Sequence, residues 1–166
     1  AIRRGARVIL ISGPTGLDAP ERVERISVRS TEEMHRAVLA HLSPASIVVM
    51  AAAVADYRPV APRGDKIKRQ SDRLTLELEA TPDILADVSG IRGDRILVGF
   101  AAETGSVAEN ARRKLASKSA DLIVANDVTA EGAGFDVDTN VVTLYTRDGR
   151  EIPLPRMSKL DVADRV

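Results

Sequence analysis

The sequence predicts an α/β fold: a Rossmann-like, three-layer parallel sheet with an added antiparallel flap and hairpin region. Three observations carry this. Continuous apolar runs at residues 8–11, 46–52, 96–102 and 122–125 alternate with helical stretches, the pattern of parallel strands covered by helices on both faces. Two Ser-x-x-Glu boxes, Ser30 with Glu33 and Ser106 with Glu109, open helices between those runs. Two segments break the rhythm. Residues 73–79 alternate strictly, and residues 140–146 and 151–154 flank an Asp148-Gly149 hairpin signal.

Taken in order, Arg3-Arg4-Gly5 reads as a helix end with glycine at its C-cap, so an upstream βα segment is expected to be missing. Residues 8–11 form a strand, and Ser12-Gly13-Pro14-Thr15-Gly16 reads as an ordinary βα turn, since it lacks the lysine and spacing of a phosphate loop. Residues 23–28 are a short strand. Met34, Val38 and Leu42 give the next helix its apolar stripe. The run at 46–52 predicts a central strand buried on both faces. A Pro-rich, charged stretch follows from 56 to 72. Leu74, Leu76 and Leu78 then alternate with polar residues as a half-buried strand. Thr81-Pro82 predicts a helix start, with Thr81 as N-cap and Ile84, Leu85 and Val88 as the buried face. The second box opens a helix to about residue 119, the strand at 122–125 leads into Asn126-Asp127, and Ser158 caps a final helix.

Composition narrows the function. The 166 residues carry 24 basic and 24 acidic side chains, so the formal charge is zero and a general nucleic-acid or polybasic membrane-surface role is disfavoured. There is no cysteine, which removes disulfides, thiolate metal sites and a cysteine nucleophile. Two histidines, His35 and His41, are too few for a histidine-rich metal site, and six apart they do not share a helix face. The longest apolar run, 47–55, is too short to span a bilayer as a helix, and a cytoplasmic location is the expectation. Aromatics are 2% of the chain, so an aliphatic core is expected and Tyr57, Phe100, Phe135 and Tyr145 each call for a reason.

In open α/β sheets, ligands gather beyond the carboxyl ends of the strands. Small residues at 51–55 let a flat ligand approach the backbone, and Asp56 just beyond suits ribose hydroxyls or a metal. Asp56 could equally cap a turn while Tyr57 covers the core edge. The run Asp65-Lys66-Ile67-Lys68-Arg69 is a solvated face or a mobile lid whose lysine meets phosphate. Lys114 and Lys118, four apart on one helix with Arg112 and Arg113 beside them, are solvent decoration or a polyphosphate clamp. Phe100, at a strand end, packs against a ring or belongs to the core.

Five segments occur in one order: Ala52-Ala53-Val54-Ala55-Asp56-Tyr57-Arg58, Lys66-Ile67-Lys68, Pro82-Asp83-Ile84-Leu85, Gly99-Phe100-Ala101-Ala102-Glu103-Thr104 and Ala125-Asn126-Asp127-Val128. Together they resemble the phosphopantothenate–cysteine ligase family, the C-terminal half of the bacterial bifunctional coenzyme A biosynthesis flavoproteins. The resemblance covers about residues 5–166. It implies a single ligase domain over 1–166 in which 4′-phosphopantothenate is activated by CTP with release of pyrophosphate, and cysteine then displaces CMP from the acyl-cytidylate. It also implies Mg²⁺, a homodimer, and FMN only in an absent decarboxylase half. No nucleic acid or membrane partner is implied. By position, Met50, Ala51 and Ala52 match the backbone segment at the cytosine. Asp56 matches a nucleotide-binding aspartate, and Lys66 the catalytic lysine on the phosphate side. Pro82, Asp83, Ile84 and Leu85 match a further nucleotide-contacting segment; Phe100, Lys114 and Lys118 match the remaining contacts. Residues 66–73 match the closing flap. No metal ligands follow from the resemblance.

The chain departs from the family at its start. The family's Gly-Gly-Thr type loop and its Ser-Asn…Ser-Ser-Gly-Lys-Met substrate segment have no counterpart, so weak CTP binding and incomplete catalysis are expected of these residues alone. Two other classes compete. A Rossmann-type NAD(P) oxidoreductase is disfavoured because neither G-x-G-x-x-G nor Tyr-x-x-x-Lys occurs. A non-catalytic nucleotide-binding or dimerisation module would bind without turnover, and the hairpin at 140–154 offers it an edge.

Overall fold

The computed structural model describes residues 1–68, 73–103, 105–127, 129 and 137–166. Arg69, Thr104, Val128 and Phe135, named above, lie outside the described residues, as do the flap positions 69–72 and the side chain of Asp127. A 3₁₀ turn at Ile2–Arg4 precedes β1 (Ile9–Ser12), β2 (Glu24–Ser27), α1 (Thr31–Ala40), β3 (Ile47–Met50), β4 (Tyr57–Pro59), β5 (Leu78–Ala80), α2 (Ile84–Gly90), β6 (Ile96–Glu103), α3 (Val107–Ser117), β7 (Leu122–Asp127), β8 (Thr139–Asn140), β9 (Val142–Thr146), β10 (Glu151–Pro153), β11 (Met157–Ser158) and α4 (Lys159–Arg165). The chain divides into two compact units, one of Ala1–Ala40 with Ala53–Asp83, the other of His41–Ala52 with Ile84–Val166.

In the first unit, Gly5 ends the opening turn in the left-handed region at φ 83°, its N–H donating to the Ile2 carbonyl, as Arg-Arg-Gly predicts. β1 and β2 pair in parallel, Ile9 opposite Glu24 through Ser12 opposite Ser27. Residues 13–23 link them without a helix, so the expected βα turn after β1 is corrected. Gly13, Pro14, Gly16 and Pro20 deny that stretch a helical nucleus. Arg25 ties the link down, donating to the Leu17 carbonyl at 2.9 Å. α1 starts as predicted: the Ser30 hydroxyl accepts from the Glu33 N–H at 3.2 Å. The Glu33 carboxylate reaches the Arg29 N–H at 2.7 Å, one residue further back than the usual box. Met34 and Val38 are the buried residues of α1, which packs beside β1.

The alternating stretch behaves differently from its prediction. Only Leu78–Ala80 pairs, antiparallel to Tyr57–Pro59, and Leu74, Leu76 and Leu78 are 66%, 59% and 52% exposed. Leu74 and Leu76 lie in coil ahead of the strand, and a two-stranded ribbon has little apolar face of its own to bury them. The half-buried strand is therefore corrected to an exposed ribbon.

The second unit holds a five-stranded sheet in the order β10-β9-β7-β6-β3. β3, β6 and β7 run parallel, while β9 and β10 extend the sheet antiparallel. This is the expected mixed architecture. β3 ends the strand order rather than sitting centrally, and Ile47 and Val49 are 57% and 52% exposed. A continuous apolar run fixes the polarity of both faces but not the strand's place in the sheet, which is why the expectation of a doubly covered central strand fails. The middle strand is β7, with Ile123, Val124 and Ala125 buried, and β6 beside it buries Leu97, Val98 and Ala101.

One face of the sheet carries Val98, Val124, Val142 and Leu144 against Val162 of α4, with Phe100 packed alongside. Gly99, Ile123 and Tyr145 alternate onto the opposite face. A Cβ on Gly99 would lie 2.8 Å from Ile123 Cδ1 and 3.2 Å from Leu85 Cδ2, so the glycine is what lets α2 settle onto the strands. Arg112 of α3 lies 5.7 Å from the Tyr145 ring centre on that face. The unit thus has a helical layer on each side of its sheet.

Ile84, Leu85 and Val88 are buried as predicted, but α2 begins at Ile84 and Thr81 does not cap it. The second box is also corrected. Ser106 sits at φ 50° and its hydroxyl makes no capping bond, because the left-handed backbone swings it away from the helix N–H groups. Asn110 instead donates to the Glu103 carboxylate at 2.7 Å. Gly149, at φ 85°, closes the β9–β10 hairpin, and the Ser158 hydroxyl accepts from the Asp161 N–H as predicted.

Candidate functional site

The carboxyl ends of β3 and β6 bring several predicted residues together within the second unit. Register sets Met50 opposite Gly99, so Phe100 lies one residue past the end of the β3–β6 ladder. Ala51 and Ala52 continue β3 as exposed coil. The Lys114 ammonium donates to the Phe100 carbonyl at 2.7 Å, a charge-assisted bond that holds a cation beside β6, just past the end of the β3–β6 ladder. One of its three donors is used there, which leaves donors for an anion. Phe100 itself is half-buried, with its ring against the core cluster.

Lys118 is the C-cap of α3, at φ −99° and ψ 2°, and its N–H donates to the Lys114 carbonyl at 3.0 Å, which places it one helical turn beyond Lys114. Ile84 and Leu85 are 2% and 8% exposed, so their side chains belong to the core and only their backbone could meet a ligand. One acceptor went unnoticed in the sequence. Asn126 of β7 has its Oδ1 buried and without a hydrogen-bond partner among the described residues. A buried amide oxygen in that state is costly unless a ligand or water donates to it. The strand-end pair Asn126-Asp127 was the signal, but burial of one particular atom is not written in a pair of residues.

The first unit holds the remaining predicted residues. Asp56 and Lys66 are exposed, and Lys66 lies in a stretch without regular structure. Pro82 is half-buried and Asp83 exposed. The loop carrying Asp56 is pinned from two sides. Thr81 Oγ1 donates to the Ala55 carbonyl at 2.6 Å, and Thr31 Oγ1 to the same oxygen at 3.4 Å. The Thr81 N–H donates to the Asp56 carbonyl at 2.9 Å. Arg58, next to Tyr57, bonds Glu79 across the ribbon at 2.8 Å and also pairs with Glu32 of α1.

Among the described residues no group of three or more histidine or acidic side chains could hold a metal. No described helix is long and apolar enough to cross a membrane.

The whole chain, residues 1–166, matches the family described as the DNA/pantothenate metabolism flavoprotein C-terminal domain. The chain belongs to this family. Similar proteins include the Coenzyme A biosynthesis bifunctional protein CoaBC of Bacillus subtilis, 51% identical over 98% of this chain, and that of Escherichia coli K12, 44% identical over 96%. The chain spans 40% and 41% of those two relatives. Among solved structures, the C-terminal domain of a CoaBC protein superposes with a TM-score of 0.82 at 40% identity, covering 99% of this chain and 72% of that one. The Streptococcus pneumoniae DNA/pantothenate metabolism flavoprotein, at TM-score 0.79 and 19% identity, covers 99% of this chain and 80% of that one and shares the fold. The fold of this chain is therefore shared with the C-terminal domain of a CoaBC protein.

Proposed function

We propose that this chain performs the ligase step of coenzyme A biosynthesis, joining 4′-phosphopantothenate to cysteine with CTP. The observation that carries the reading is agreement along nearly the whole chain, at 51% identity, with a protein named for coenzyme A biosynthesis. In the reaction a carboxylate oxygen of phosphopantothenate attacks the α-phosphorus of CTP and pyrophosphate leaves. The amine of cysteine then attacks the acyl carbon, CMP leaves, and the amine gives up a proton. The enzyme needs no thiol, and the chain has none.

Both steps build charge on phosphate oxygens, and preorganised cations are the economical answer. Lys66, Lys114 and Lys118 are the residues proposed for that work, with Lys66 catalytic on the phosphate side. Met50, Ala51, Ala52, Pro82, Asp83, Ile84, Leu85 and Phe100 are proposed to receive the nucleoside. The backbone of Ala51 and Ala52 suits recognition of cytosine by N–H and C=O groups. Mg²⁺ fits this chain only in the mode in which the ion rides on phosphates with one or two carboxylates, of which exposed Asp56 is the candidate. When bound, the ion supplies charge neutralisation at the phosphates. A homodimer is the proposed assembly.

The test is pyrophosphate release by the intact protein. Release should require CTP, phosphopantothenate and Mg²⁺ together, and added cysteine should convert the product to phosphopantothenoylcysteine. Equal turnover with ATP removes the preference for CTP. Calorimetric binding of NAD in place of either nucleotide removes the ligase reading.

A further inference from the structure

Thr81 was expected to cap a helix and does not, since α2 begins at Ile84. Its side chain instead turns back to the Ala55 carbonyl at 2.6 Å, while its own N–H bonds the Asp56 carbonyl at 2.9 Å. Thr81 therefore grips two consecutive carbonyls, one on each side of the Asp56 backbone nitrogen. Thr31, the first residue of α1, donates to the Ala55 oxygen as well, at 3.4 Å. Residues 51–55 have no regular structure of their own, and Asp56 is a bend ahead of β4. The Thr81 N–H bond continues the β4–β5 ladder by one rung beyond Tyr57 and Ala80, and the hydroxyl bond carries the hold back to Ala55; together they set the direction in which Asp56 leaves the backbone.

We propose that Thr81 is a positioning residue for nucleotide binding: its hydroxyl fixes the Ala55–Asp56 peptide and its N–H the Asp56–Tyr57 peptide, and together they aim the Asp56 carboxylate. The proposal rests on the CTP-dependent reading above. Threonine at 81 supplies both donors, a hydroxyl and an N–H that Pro82 lacks. The proposal also predicts a division of labour. The hydroxyl acts on the loop, whereas helix α2 is held by Ile84, Leu85 and Val88 in the core.

The experiment compares Thr81→Val, which keeps shape and removes the hydroxyl, with Thr81→Ser, which restores it, in the intact protein. For Thr81→Val the KM for CTP should rise about tenfold, with kcat within about twofold of wild type, as expected for loss of one hydrogen bond used in binding. Thr81→Ser should return KM to within about twofold. Amide hydrogen exchange at Tyr57 and Thr81 should quicken in Thr81→Val and recover in Thr81→Ser, a readout that needs no turnover. An unchanged KM in Thr81→Val overturns the proposal. So does a loss that serine does not rescue and that tracks a lowered melting temperature, since that marks a merely structural role. If wild type itself shows no CTP turnover, the ligase reading fails. Unchanged exchange in Thr81→Val then removes the clamp as well, whereas faster exchange rescued by serine keeps the clamp and reassigns its ligand.

Discussion

In the unit built on the five-stranded sheet, Val88, Leu97, Ile123 and Val124 are wholly buried, and the cluster around Val98 and Val162 ties a helix to the strands. In the other unit, among the described residues, only Val28, Met34 and Val38 are buried apolar side chains. What holds that unit is polar: Arg58 between Glu32 and Glu79, Arg25 on the Leu17 carbonyl, Thr31 and Thr81 on Ala55. The contrast separates two jobs. Apolar burial stabilises without direction, and suits a scaffold that must stay put. Hydrogen bonds contribute little net stability but fix orientation, and suit the loop proposed to present Asp56 to a nucleotide.

The widest gap between the units should show in two leucines. Leu97→Ala, at a fully buried position, should lower unfolding free energy by about 2–5 kcal/mol, while Leu76→Ala, 59% exposed, should stay within about 0.5 kcal/mol. Urea denaturation of both variants checks this, and equal losses would erase the distinction. Next come two lysines. Lys66→Ala should reduce pyrophosphate release about 100-fold with no change in melting temperature. Lys114→Ala should reduce release too, but it also strips the Phe100 carbonyl of a donor, so melting should fall alongside. If both variants melt like wild type, Lys114 is no part of the scaffold.

Gly99→Ala sharpens the same contrast from inside the sheet. The new methyl meets Ile123 Cδ1 at 2.8 Å, and the variant should lose about 1–3 kcal/mol. Adding Ile123→Val, which deletes that very carbon, should recover part of the loss in a double-mutant cycle. The smallest effect belongs to the hairpin. The Thr146 hydroxyl bonds the Asp148 carboxylate and Arg150 pairs with it at 2.8 Å, and together they lower its pKa from 3.8 to about 2. A carboxylate whose folded pKa is depressed stabilises the fold above its unfolded pKa and ceases to do so as pH falls through the folded one. Asp148→Asn should therefore lower neutral-pH melting slightly and flatten the acid side of the melting profile between pH 3.8 and about 2, below which the two proteins converge.

Much of the scaffold was legible because its signals are local. Residues 96–102 announce a buried strand by composition, Ile84, Leu85 and Val88 announce a helix face by spacing, and Asp148-Gly149 announces a hairpin by backbone chemistry. The errors share a different cause. The strict alternation of Leu74, Leu76 and Leu78 says that they point one way, and nothing in it says whether a layer waits there. Thr81-Pro82 satisfies the rules for a helix start, yet Thr81 found a better acceptor at Ala55, far away in sequence. Ser106 carries the right side chain for a cap in a backbone conformation that disarms it.

By itself the sequence determined the fold class, the succession of β6, α3, β7, the β9–β10 hairpin and α4, the aliphatic core and the family, while β8 and β11 went unread; what was read follows from periodicity, residue type and ordered motifs. Only the tertiary structure decided that β3 ends the sheet while β7 is central, that Lys114 anchors on the Phe100 carbonyl, that an Asn126 oxygen is buried without a partner among the described residues, and that Thr81 grips the loop of Asp56. Those facts depend on which groups meet across long stretches of chain, and a hydrogen bond or a covering layer exists only once both partners have been brought together.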